Sequence, residues 1–136
     1  MNDEKRFTFT KEERVTGKRR IETLFAQGNS FMAYPFRVLY LERARGSLAI
    51  ASIMISVPKK RVRSAVKRNR VKRLTREAYR LNKQLMSQIA FSEDKGIDIA
   101  FIYVKEGIAD YMTVEKGMRK ALSTLIVQLD NGKVVC

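Results

Sequence analysis

Histidine and tryptophan are absent from all 136 residues, and cysteine occurs once, at Cys136. Without histidine the chain lacks the commonest general acid or base and the commonest metal ligand. One cysteine builds neither a disulfide framework nor a metal cage, so Cys136 reads as an exposed terminal thiol. No run approaches the roughly 18 consecutive apolar residues of a membrane span, and the charged N-terminus is unlike a secretory signal. A cytoplasmic protein with no membrane partner is expected. Acids are few, and the adjacent pairs Glu12-Glu13 and Glu93-Asp94 stand in polar surroundings without the pattern of a two-metal nuclease. Ser64 and Thr75 have no evident base. Neither independent catalysis by the protein nor a small-molecule substrate is expected.

What the chain does have is positive charge: 28 Lys and Arg against 14 Asp and Glu, a net +14. That excess calls for a polyanionic partner. The charge is also concentrated. Residues 59–83 hold twelve Lys or Arg and one acid, Glu77, and so carry +11 of the +14. Solubility would not need such clustering, whereas a phosphate-binding surface would.

Length and the 45% apolar content fit one domain with one core. We expect a flexible tail over 1–7, a single domain over 8–130 that bears this surface and a short C-terminal tail over 131–136, with Phe7 and Phe9 the first residues able to anchor the chain. From Thr16, a plausible cap, Ile21, Leu24 and Phe25 recur at helical spacing until Gly28. Phe31 to Leu41 and Leu48 to Val57 read as strands joined by a polar turn from Arg43 to Ser47 that contains Gly46, which together predict a β-hairpin; Pro35 marks a sheet edge or a strand start. Pro58 ends the second strand, and Ser64 caps a long helix. Asp98 to Val104 is a third strand, and Thr113 caps a last helix whose core face includes Val114, Met118, Leu122 and Leu125. The order is α-β-β-α-β-α, an α+β fold built as a two-layer α/β sandwich of a small sheet with helices.

On the long helix, Val71, Leu74, Ala78, Leu81 and Leu85 form an apolar stripe centred at about −30° with Val71 as zero. Asn69, Lys72, Arg73, Arg76, Arg80 and Lys83 fall between about 100° and 200° on the same wheel. One face docks on the sheet and the other presents guanidinium forks suited to phosphate, with Arg68 and Arg70 flanking the arc. A merely solvated face would interleave acids with bases. This one stacks Arg68, Lys72, Arg76 and Arg80 at i,i+4, which weakens the helix unless something anionic offsets it. The loop Lys59-Lys60-Arg61-Val62-Arg63 extends the patch. Phe25, Tyr34, Phe36, Tyr40 and Tyr103 are available to stack unpaired bases, with core packing the competing role for each. Strand alternation puts Arg37, Leu39 and Leu41 on one face and Ser52, Met54 and Ser56 on the matching one, a candidate open cleft.

The run Lys59-Lys60, then Ala65-Val66-Lys67-Arg68-Asn69-Arg70-Val71-Lys72-Arg73-Leu74-Thr75-Arg76-Glu77, closely resembles the signature of the bacterial ribonuclease P protein component family. Arg14, Phe25 and Gly28 are similar to that family's N-terminal pattern. The resemblance implies a small RNA-binding subunit that partners a catalytic RNA and precursor tRNA, assisting removal of the 5′ leader to give the mature tRNA 5′ end. It implies no cofactor on the protein alone and Mg2+ for the holoenzyme, held largely by RNA. It further implies an RNA-binding set of Lys59, Lys60, Arg68, Asn69, Arg70, Lys72, Arg73 and Arg76, to which the basic loop adds Arg61 and the helical wheel Arg80, a leader cleft of Phe25, Leu39 and Ser56, to which strand alternation adds Arg37 and the aromatic set Tyr103, and a left-handed βαβ crossover. Ile21 stands where the family commonly has an aromatic. Composition alone would equally fit a ribosomal or other structural RNA-binding protein.

Overall fold

The computed structural model describes residues 13–44, 49–88 and 94–134. In chain order these form α1 (Lys18–Gln27), β1 (Asn29–Ala33), β2 (Phe36–Ala44), β3 (Ala51–Ser56), α2 (Ala65–Asn82), a 3-10 segment (Lys83–Gln88), β4 (Lys95–Tyr103) and α3 (Tyr111–Val134). Phe7, Phe9, Glu12, Gly46, Leu48, Glu93 and Cys136 lie outside the described residues, as does the 1–7 tail. The last helix runs to Val134, into the stretch expected to be a C-terminal tail.

The run Phe31 to Leu41 is two strands rather than one. Pro35, with no N–H to give to a ladder, sits in the turn between β1 and β2. The hairpin therefore joins β1 to β2, with Asn29 opposite Tyr40 and Ala33 opposite Phe36. The expected pairing of β2 with β3 does not occur, because β4 lies between them. It runs antiparallel to β2, with Leu41 opposite Asp98, and parallel to β3, with Ala51 opposite Ile97. The sheet order is β1-β2-β4-β3. β4 takes the centre because Gly96 to Phe101 are buried on both faces, the mark of an interior strand. The element order is thus α-β-β-β-α-β-α, one strand more than expected, in an open four-stranded sheet.

The main core lies where α2 and α3 cover one sheet face. Phe36, Val38, Ile99 and Phe101 meet Val71 and Tyr79 of α2 and Met118 and Leu122 of α3. Phe36 and Phe101 pack edge to face at 5.7 Å. On the opposite face α1 inserts Leu24 against Leu39 and Ala100, a smaller cluster that covers only part of the sheet. Gly117 lets α3 pass close to the β1–β2 turn, since a Cβ there would stand 2.5 Å from the Tyr34 carbonyl oxygen and from Pro35 Cδ.

Ser64 caps α2 as expected, its Oγ accepting from the Lys67 N–H at 3.3 Å. The other two caps differ. Gly17, with φ +92°, caps α1 in place of Thr16, in a conformation that glycine adopts without penalty. Asp110 caps α3 in place of Thr113, accepting from the Thr113 N–H at 2.9 Å. That hydrogen bonding holds the Asp110 carboxyl below its ordinary value.

Candidate RNA interface

Helix α2 is held by a face turned about 50° from the apolar stripe. Val71, Thr75, Ala78, Tyr79 and Asn82 are its buried residues, while Leu81 is 40% exposed and Leu74 and Leu85 are half-buried. Two polar residues enter the core because they satisfy themselves on their own helix. Thr75 Oγ1 donates to the Val71 carbonyl and Asn82 Nδ2 to the Ala78 carbonyl, both at 2.8 Å. Tyr79 packs on Phe101, and burial pushes its hydroxyl pKa well up.

This rotation sorts the ten expected RNA-binding residues. Lys59, Lys60, Asn69, Arg70, Arg73 and Arg76 are exposed, and Lys72 is half-buried. The side chains of Arg70, Lys72, Arg73 and Arg76 make no ion pair or hydrogen bond with the described residues. Three others are engaged within the fold. Arg68 Nη1 donates to the carbonyls of Val62 and Arg63 at 3.1 and 2.8 Å, tying the basic loop to the helix. Arg61 pairs with Glu106 at 2.9 Å. Arg80 pairs with Glu77 at 2.6 Å, and this hydrogen bond holds the Glu77 carboxyl below its ordinary value. Lys83, at the end of the predicted arc, is tied to Glu13 at 2.8 Å. The stacked series of like charges is thereby neutralised at its C-terminal end and left bare in the middle.

Lys72 and Arg76 also line a groove of about 540 Å³ with Arg14, Thr16 and an apolar floor of Val15, Ile53, Met54 and Ile55. The chain before α1 builds its outer wall, the Val15 N–H donating to the Ile53 carbonyl at 2.8 Å along the free edge of β3. Arg14 and Thr16 as groove residues were not legible from helical periodicity, because they come from a non-helical segment laid beside a strand edge.

The second expected site lies on the sheet face that α1 partly covers. Register places Arg37, Ile102 and Ser56 in one row across β2, β4 and β3, with Arg37 and Ser56 about 10 Å apart. Leu39, one row along, is buried beneath Leu24 and forms floor rather than contact surface. Phe25 follows Leu24 on α1, is 45% exposed, and shares a flank with half-buried Ile21 one turn earlier. Tyr103 does not belong to this cleft. It is fully buried on the opposite face, where its hydroxyl donates to the Gly107 carbonyl at 2.6 Å. Alternation explains the exclusion: Phe101 and Tyr103 face α2 and α3, while Ala100 and Ile102 face α1. Phe36 and Tyr40 are core likewise, and Tyr34 is exposed in the β1–β2 turn.

Among the described residues no three acidic or cysteine side chains converge to hold a metal ion.

The ribonuclease P family model matches residues 9–126. This chain belongs to the ribonuclease P protein family. The ribonuclease P protein component of Porphyromonas gingivalis is 45% identical over 116 residues, which is 85% of each chain. That of Chlorobaculum tepidum is 36% identical over 98 residues, 67% of this chain and 64% of the other. The ribonuclease P protein from Thermotoga maritima superposes with a TM-score of 0.61 at 30% identity, covering 81% of this chain and 94% of that one. The Staphylococcus aureus ribonuclease P protein shares the fold, with a TM-score of 0.66 at 22% identity over 83% of this chain and 94% of that one. The chain is thus the protein component of an endoribonuclease complex that matures the 5′ end of tRNA, and it works with an RNA partner. Family membership also decides against the ribosomal reading that composition left open.

Proposed function

We propose that α2 and the Lys59-Lys60 loop bind the catalytic RNA, while the face bearing Phe25, Arg37 and Ser56 holds the single-stranded 5′ leader of precursor tRNA. The observation that carries the first half is the bare row Arg70, Lys72, Arg73 and Arg76, whose charge has no counterpart among the described residues. Guanidinium forks on a helix docked over about three turns match phosphate oxygens from a fixed backbone. Arg68 serves in part from within, since it fixes the loop that presents Lys59 and Lys60.

The second half rests on an exposed aromatic beside a row with one cation and one hydroxyl, which suits an unpaired base next to its phosphate. The protein breaks no bond. It raises affinity for precursor over mature tRNA through leader contacts and screens phosphate repulsion, so that less Mg2+ is needed by a holoenzyme whose metal is held largely by RNA. We place this work in the cytoplasm; among the described residues no helix is long and apolar enough to cross a membrane. The test is reconstitution with the matching catalytic RNA. Addition of the protein should raise precursor cleavage at low magnesium, and an unchanged rate would sink the reading.

A further inference from the structure

Asp98 is the one charged residue that is buried among those described, 4% exposed in the middle of the central strand β4. Two arginines converge on it. Arg20 of α1 makes a two-pronged contact, Nε to Oδ2 at 2.8 Å and Nη2 to Oδ1 at 2.6 Å. Arg43 of β2 adds Nε to Oδ1 at 2.6 Å, and its Nη2 also donates to the Ala49 carbonyl at 2.8 Å and to Ser52 Oγ at 3.0 Å. Gly96 makes room for this arrangement, since a Cβ there would lie 2.2 Å from Arg43 Nη1 and 2.7 Å from the Ile50 carbonyl oxygen.

The cluster matters because α1 has little else to hold it. It is a ten-residue helix with one fully buried side chain, Leu24, and a helix that short takes its stability from packing rather than from itself. Leu24 supplies non-directional apolar attachment. The Arg20 fork supplies direction, because two parallel hydrogen bonds to one carboxylate fix both distance and orientation. Arg20 lies one turn before Leu24, and Phe25 follows directly. The two attachments, to Asp98 and to the Leu39/Ala100 floor, therefore define the line along which Ile21 and Phe25 overlook the sheet.

We propose that Asp98 is a positioning residue for the leader cleft: by clasping Arg20 against Arg43 it sets how α1 lies on the sheet and so where Phe25 stands relative to Arg37 and Ser56. The inference rests on the leader reading above, and its test separates the two. Holoenzyme reconstituted from full-length protein and its catalytic RNA is assayed for affinity toward precursor and mature tRNA. Asp98→Asn lowers the precursor-to-mature affinity ratio at least about three-fold, while affinity for mature tRNA and for the catalytic RNA alone stays within about two-fold. Arg20→Met is the second variant. It frees α1 while the Arg43–Asp98 pair persists, which keeps the carboxylate compensated and the protein folded, and it shows the same split. Leu125→Val weakens the main core on the opposite face without touching α1, and its ratio stays at the wild-type value. An unchanged ratio in both Asp98→Asn and Arg20→Met overturns the proposal, and so does an equal loss in Leu125→Val. If Phe25→Ala and Arg37→Ala also leave the ratio unchanged, the leader reading itself has failed; if they lower it and the Asp98 and Arg20 variants do not, only the positioning role has.

Discussion

Arg68 and Arg70 are two residues apart in one motif, yet the structure gives them separable duties, and truncating each to alanine should separate them. Arg70 is exposed with no partner among the described residues, so Arg70→Ala removes a phosphate contact and little else. Each lost contact flattens the plot of log affinity for the catalytic RNA against log salt by about 0.7 to 0.9. Between roughly 50 and 200 mM salt, that shrinks the gap between wild type and variant about three-fold. Stability should hardly move, because exposed substitutions of this kind stay within about 0.5 kcal/mol, or about 2 °C in Tm. Arg68→Ala differs, since Nη1 bridges the Val62 and Arg63 carbonyls at 3.1 and 2.8 Å. Losing those charge-assisted bonds in a half-exposed setting should remove about 1 to 2 kcal/mol, lowering Tm by about 3 to 8 °C. Filter binding across a salt series and thermal melts of the free protein measure both quantities. An Arg70→Ala variant with an unaltered slope, or with a Tm loss as large as that of Arg68→Ala, would refute the assignment.

Tyr103→Phe deletes a buried hydrogen bond and should lower Tm by about 3 to 5 °C, for about 1 kcal/mol, while leaving leader affinity intact; a loss of leader affinity would return Tyr103 to the cleft. Gly117→Ala sets helix propensity, which favours alanine by about 1 kcal/mol, against a Cβ 2.5 Å from Tyr34 O and Pro35 Cδ; overpacking at about 1 to 3 kcal/mol should win, so a melt showing stabilisation would contradict the packing described. Asp110→Ala removes the α3 cap. Because the folded Asp110 carboxyl sits below the ordinary 3.8, the stability gap to wild type is fully present above that value and closes as pH falls through the folded value, which acid-range melts will follow. A gap that widens on acidification would reverse the sign of that linkage.

Local signals were legible in the sequence, and non-local ones were not. The α2 helix, its Ser64 cap and its charge imbalance are written within one stretch of chain. The phase of its buried face is not, since Thr75 and Asn82 count as polar in any periodicity until their hydrogen bonds to Val71 and Ala78 are seen. Leu81 stays 40% exposed for the complementary reason: it lies off the rotated face that Val71, Thr75, Ala78, Tyr79 and Asn82 bury. The place of β4 depends on residues 36–44 and 51–56 both pairing with 95–103, a relation that no window of sequence contains. Asp98 offered one overlooked clue, a single acid inside the otherwise apolar run Ile97 to Ile102. Arg20 and Arg43, its partners, lie 78 and 55 positions away in sequence.

The strand order β1-β2-β4-β3 also dictates when this protein can exist as a protein during synthesis. Its central strand is the last one translated. Until residue 103 has left the ribosome, β2 and β3 have no common neighbour, and the main core lacks its middle layer. By then residues 59–83, the basic loop and α2 through Lys83, which carry +11 of the net +14, have already emerged without the sheet that α2 docks on. Nascent chains of this kind must pass through an interval in which the cationic segment is accessible while the fold is not yet closed. Any fragment that ends before β4 stays in that condition permanently.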